Sequence, residues 1–210
     1  MKTVLDTQLV VLKNEIAKMA LLCEEALIKA MRALSEHDLV LAQEIIDYDE
    51  RINIMEKDIQ SLCYSLLVRQ QPVASDFRFL SASLKIVTDL ERIGDYATDI
   101  SEIVLEYSHS EFAYEKDLIK MSKDVIKMLK DSIDSLMNMD IDLANSVVLY
   151  DDKVDNGLLE LKSKIIDDMM ETREAKASRL DMYMIAKYFE RCGDRCVNIV
   201  NSVVFFATGK

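Results

Sequence analysis

Two stretches of this chain are written twice. Residues 48–53 (YDERIN) match residues 150–155 (YDDKVD) at a spacing of 102, and residues 91–100 (ERIGDYATDI) match residues 190–199 (ERCGDRCVNI) at a spacing of 99. Self-similarity at a fixed long period marks a duplicated structural unit. The three-residue difference fits a shorter connection between the second and third elements of the later copy. The domains are therefore 1–109 and 110–210.

The periodicity within each copy is helical. Leu5, Leu9, Leu12, Ile16, Met19, Cys23, Ala26, Ala30 and Ala33 recur in steps of four and three, which predicts one helix from near residue 3 to near residue 35. Ser35 to Asp38 reads as a polar turn. A second stripe runs Ile45, Asp49, Ile52, Glu56, Ile59, Cys63 and Leu66. Pro72 breaks it, and Ser75 or Asp76 is expected to cap the next helix. The third stripe is Ile86, Leu90, Ile93, Ala97, Ile100, Val104 and Tyr107, ended by Ser108 to Ser110. The pattern then restarts with Ile119, Ser122, Ile126, Leu129, Ile133 and Leu136. A fifth stripe holds Val147, Asp151, Val154, Leu158, Leu161 and Ile165. The sixth holds Ile185, Phe189, Cys192, Cys196, Ile199, Val203 and Phe206. Four glycines and one proline leave little room for the turns of a sandwich or barrel. The expected fold is all-α: a tandem repeat of two three-helix bundles with six long helices, packed along their length or end to end.

Charge and cysteine usage narrow the function. A net charge of −12 argues against a nucleic-acid partner, whose phosphates require a basic face. Cys23, Cys63, Cys192 and Cys196 form neither a CxxC pair nor a disulfide framework, which suits a reducing, cytoplasmic setting. The first residues have charges at their apolar positions, unlike a signal peptide, and no apolar run approaches the ~18 residues of a membrane span. Glycine-rich phosphate loops, GxSxG and HExxH are missing, so no enzyme is expected.

The acids stand where apolar residues belong. Asp49 and Asp151 occupy the same slot of their repeats, inside an apolar stripe, and Glu56 does so in the first repeat only. A buried carboxylate without a partner is costly. Glu91 and Asp95 are four residues apart, as are Glu190 and Asp194, so each pair stacks on one helix face with β-carbons about 5–6 Å apart. Asp99 extends the first row, where the second has Asn198. Asp151 and Asp155 form a further four-step pair, matched by Asp49 and Asn53. One such pair could be a solvated face beside Arg92 or Arg191, but recurrence in both repeats points to a site. So do Gly94 and Gly193, which share a helical slot where glycine costs about 1 kcal/mol relative to alanine. Oxygen-only clusters suit magnesium, calcium, manganese or ferric iron. A small Cys/His zinc site is not expected, because no histidine sits at these positions.

The stretch RQQPVASDFRFLSASLKIVTDLERIGDYATDI, with AKYFERCGDRCVNI in the second half, resembles the paired signature of the PhoU family. The resemblance covers essentially the whole chain. It implies two similar three-helix bundles and a cytoplasmic, often dimeric regulator. Its implied partners are the ATPase of a phosphate ABC transporter and a sensor histidine kinase, and its implied role is to keep the phosphate-starvation response off when phosphate is plentiful. It further implies metal ions held by the acidic motifs, iron or zinc in multinuclear clusters, with magnesium or manganese as alternatives. Carried over by position, the ligands are Glu91, Asp95, Glu190 and Asp194, with Asp49, Asp151 and Asp155 as facing acids and Asp99 continuing the first row. Cys192 and Cys196 depart from the family pattern. They read as buried small apolar residues, with a soft ligand or redox pair as the alternative. Phosphate itself would be repelled by the acids unless bound metal inverted the local field. Two rivals remain: a ligand-free helical adaptor, and a carboxylate di-iron protein, for which Glu106 and His109 offer a single ExxH.

Overall fold

The computed structural model describes residues 4–106, 114–171 and 176–209. They form six helices: α1 (Val4–Glu36), α2 (Leu39–Gln70), α3 (Ala74–Glu106), α4 (Glu115–Asn138), α5 (Ile141–Glu171) and α6 (Lys176–Thr208). Helices α1 to α3 pack on one another, as do α4 to α6, giving the two expected bundles. Tyr107, Ser108 to Ser110 and the 109/110 domain boundary lie outside the described residues, as does the connection at 172–175 that was expected to be shortened. Among the described residues, no helix is long and apolar enough to cross a membrane.

The same turn is built twice. His37 and Met139 both adopt the left-handed conformation, at φ 54° and 55°. The next amide, of Asp38 or Asp140, donates to the carbonyl of Ala33 or Ser135 at 3.0 Å in each case. This wide bond closes the preceding helix. The Asp38 and Asp140 carboxylates then cap the following helix, accepting from the amides of Leu41 and Leu143 at 3.0 and 2.9 Å. Each aspartate thus ends one helix and starts the next, which fixes an antiparallel hairpin. The start of α3 differs from expectation. It begins at Ala74, and its first turn is closed by the Val73 carbonyl, which accepts from Asp76 and Phe77 amides. Ser75 and Asp76 lie inside the helix rather than capping it.

The bundles lie side by side along their length, with α3 antiparallel to α6 and α1 to α4. Early α3 meets late α6 through Phe79 and Phe206, whose ring centroids are 4.9 Å apart. Further along, Tyr96 stacks on Tyr188 at 5.8 Å. On the other seam, Lys13 Nζ donates to the Met137 carbonyl at 2.9 Å. Four helices are therefore inner, while among the described residues α2 and α5 touch only their own bundle. Inner helices bury more than one stripe: α3 buries Ile86, Leu90 and Ile93, but also Ser83, Asp89 and Ser101. On α4 the buried row is Leu118, Met121, Val125, Met128 and Ser132 as well as the expected Ser122, Leu129, Ile133 and Leu136, whereas Ile119 and Ile126 are only half-buried. The buried serines that this creates return their hydroxyls to the preceding turn, as Ser83 does to Phe79 and Ser132 to Met128.

Candidate functional site

The outer helices bring their acids against the inner ones once in each half. In the first half, Asp49 of α2 is half-buried and faces α3. Its Oδ2 accepts from Asn53 Nδ2 at 2.7 Å, while its Oδ1 is buried with no hydrogen-bond partner. Burial, then the charge of Asp95, pushes its carboxyl above the ordinary range even though Asn53 opposes the shift. Glu91 is pushed up by burial and then by Asp95, against the pull of Arg92. Asp95 is also raised by burial, again against Arg92. Glu56 closes the row from α2, accepting from Gln60 at 2.8 Å and from the Thr88 hydroxyl at 3.0 Å.

The second half repeats the arrangement in a tighter form. Asp151 of α5 sits over the backbone of Gly193 on α6, so close that a β-carbon there would lie 2.6 Å from Asp151 Oδ1. That oxygen and Glu190 Oε2 are both buried without a partner. Burial, then Asp155, Asp194 and Glu190, lifts the Asp151 carboxyl to about 6. Asp155 and Asp194 stand at the exposed mouth and are raised by burial and by Glu190. The glycine slot works differently in the first half, where a β-carbon on Gly94 would meet Ile52 Cδ1 at 2.8 Å. Both glycines allow an outer helix to approach an inner one, but only Gly193 makes room for a carboxylate.

Asp99 is placed apart from the α2 acids. It is half-buried on the α3–α6 seam, hydrogen-bonded by Tyr188, and raised by burial and by Glu102. Its repeat mate Asn198 donates to Asp89 at 3.4 Å, and Arg195 Nη1 donates to the same Asp89 oxygen at 3.2 Å. Reading one stripe per helix missed Asp89, because only the inner position of α3 gives it a second buried face. Lys187, which pairs with Glu190, was also missed. Its signal was positional: it sits three residues before that acid.

Cys192 and Cys196 are fully buried, and burial pushes both thiols well up. Cys63 is pushed up to about 12. The complete burial of Cys192 and Cys196 fits the reading as small apolar residues. His109, half of the lone ExxH, lies outside the described residues.

Among the described residues, no three His, Cys, Asp or Glu side chains converge as they stand on one ligand position. The residues nevertheless fit a hard cation on two observations: carboxylate oxygens buried without a partner, and a backbone notch at Gly193 that seats one of them. The donor set is entirely oxygen.

A tandem pair of three-helix bundles, each with a carboxylate row between its second and third helices, defines a recognisable class. The PhoU domain model matches residues 16–104 and again 118–203. The chain is similar to the phosphate-specific transport system accessory protein PhoU of Serratia marcescens, at 32% identity over 200 residues, covering 95% of this chain and 82% of the relative. It is similar to the Clostridium acetobutylicum homologue at 33% identity, covering 100% of this chain and 96% of the relative. Its fold superposes on the crystal structure of PhoU from Pseudomonas aeruginosa with a TM-score of 0.93 and 31% identity, covering 98% of this chain and 99% of that one. The phosphate transport system regulatory protein PhoU from Streptococcus pneumoniae gives a TM-score of 0.93 at 29% identity, with 98% of each chain covered. The chain belongs to the PhoU family.

Proposed function

We propose that this protein is a non-catalytic, cytoplasmic regulator of phosphate uptake, working as the accessory protein of a phosphate-specific transport system. It contacts the transporter's ATPase and a sensor histidine kinase, and represses the phosphate-starvation response when phosphate is plentiful. The observation that supports this reading is likeness along the full length, with the family domain matched in both halves, to proteins named as accessory proteins of a phosphate-specific transport system.

The acidic rows supply the structural part. Asp49, Glu91 and Asp95 would hold a cation in the first half, and Asp151, Asp155, Glu190 and Asp194 in the second. A bound cation supplies positive charge that cancels carboxylate repulsion. The chain's own residues then fix α2 on α3 and α5 on α6, so that each half offers a rigid surface to its partners, with a homodimer as the working assembly. A ligand-free adaptor is the second reading. It is favoured by Arg92 and Lys187, which already neutralise part of each row. Metal analysis of purified protein, with and without Glu91→Ala and Glu190→Ala, separates the two.

Deleting the gene in its host, together with any second family member, tests the regulatory role. Phosphate-responsive genes should be expressed in rich phosphate. Normal repression in that strain would refute the assignment.

A further inference from the structure

Each acidic row carries one tethered cation, and the two do not come from equivalent places. In the first half, Arg92 reaches Asp95 Oδ2 from Nη1 at 3.0 Å and Glu91 Oε2 from Nε at 3.5 Å. Its repeat mate, Arg191, faces the Tyr96 ring instead, 6.0 Å from its centroid. In the second half the cation is Lys187, whose Nζ lies 2.5 Å from Glu190 Oε1. The repeat mate of Lys187 is Thr88, an uncharged residue bound to Glu56. The duplication therefore kept the outcome without keeping the residue.

We infer that Arg92 and Lys187 are the counter-ions of the cation-free rows, and that a metal ion must displace them to bind. The inference rests on the cation-binding reading above. The oxygens they occupy belong to Glu91, Asp95 and Glu190, which are the ligands that reading requires. With both cations in place, no three donors converge on one position among the described residues. Both can swing outward, since their side chains are 53% and 32% exposed. Long flexible side chains with a charged tip are suited to this exchange, because the stem stays in place while the head returns to water. A tethered cation of this kind lowers apparent metal affinity and shields the row when metal is scarce.

The test is titration of chelator-treated, full-length protein with Mn²⁺, followed by the electron paramagnetic resonance signal of the free ion. Arg92→Gln and Lys187→Gln should each bind roughly two- to fivefold tighter than the unsubstituted protein, the range that half-exposed ion pairs correspond to. Lys130→Gln, which removes an equal charge from α4, should change affinity less than either. Lys187→Arg should keep the original affinity. Metal-free Arg92→Gln and Lys187→Gln should also melt lower, because the row loses its shield. If the protein binds Mn²⁺ but both Gln variants bind equally or more weakly, the counter-ion role is overturned and cation binding stands. If the protein shows no binding while the Arg92→Gln/Lys187→Gln variant binds, the cation-binding reading and the displacement both fail, and Arg92 and Lys187 stand as permanent counter-ions. Absence of binding in both overturns both.

Discussion

Asp151 occupies the space that a side chain at position 193 would fill, with its Oδ1 2.6 Å from where the Gly193 β-carbon would stand. The glycine and the acid are thus one device, in which bare backbone on α6 admits a carboxylate from α5.

Substituting the two repeat-matched glycines should therefore have opposite effects on metal-free protein. Gly94→Ala drives a methyl into Ile52, which is buried and branched close to the backbone, so relief requires a core shift. Overpacking costs typically 1–3 kcal/mol, against a helix-propensity gain of about 1, for an expected net loss of about 1 kcal/mol. Gly193→Ala meets Met128 and Val154 at an ordinary 3.7 Å and crowds just the end of a rotatable carboxylate, which it pushes toward water. Stability should hold or rise by up to about 1 kcal/mol, while cation binding in the second half weakens. Urea unfolding of both variants checks this, and a larger loss for Gly193→Ala would contradict it.

Much of this was legible in the sequence. The duplication gave two equivalent bundles, and the acids inside the stripes of α2 and α5 face the carboxylate pairs of α3 and α6. What stayed hidden depends on how the two bundles meet. Asp89 and Arg195 are paired across α3 and α6, and their repeat mates Tyr188 and Tyr96 stack at the related point of the same seam. The repeat keeps the positions and changes the chemistry, so neither pair can be found by matching one half to the other. The α4 stripe was read from its half-buried edge for a related reason, since α4 packs on α1 as well as on α5 and α6.

The interbundle ion pair should show coupling. Burial raises the Asp89 carboxyl even though Arg195 and Asn198 oppose it, so removing Arg195 leaves a poorly compensated charge. Arg195→Ala should cost about 1–3 kcal/mol. The Asp89→Ala/Arg195→Ala double variant should recover part of the loss, and a double-mutant cycle measures how much. Strict additivity would mean that the pair does not hold the bundles together.

The acidic rows also set a pH dependence. A carboxyl raised by folding binds its proton more tightly in the folded state than in the unfolded chain. Its stabilising contribution is complete below the unfolded value and is lost as pH rises through the folded one. For Asp151 that window runs from the ordinary carboxylate range to about 6, and Asp49, Glu91, Asp95, Asp155 and Asp194 are shifted in the same direction. Chelator-treated protein should therefore melt higher at pH 5 than at pH 7.5, and Asp151→Asn should flatten the difference. A melting temperature that climbs between those pH values would contradict the sign.

The central claim is that both repeats hold cations on their carboxylate rows, and native mass spectrometry of metal-loaded protein tests it most directly. Glu91→Gln/Asp95→Asn should abolish the metal bound by the first half alone, Glu190→Gln/Asp194→Asn that of the second, and the fourfold variant all of it. Equal metal content in the unsubstituted protein and the fourfold variant would contradict the account.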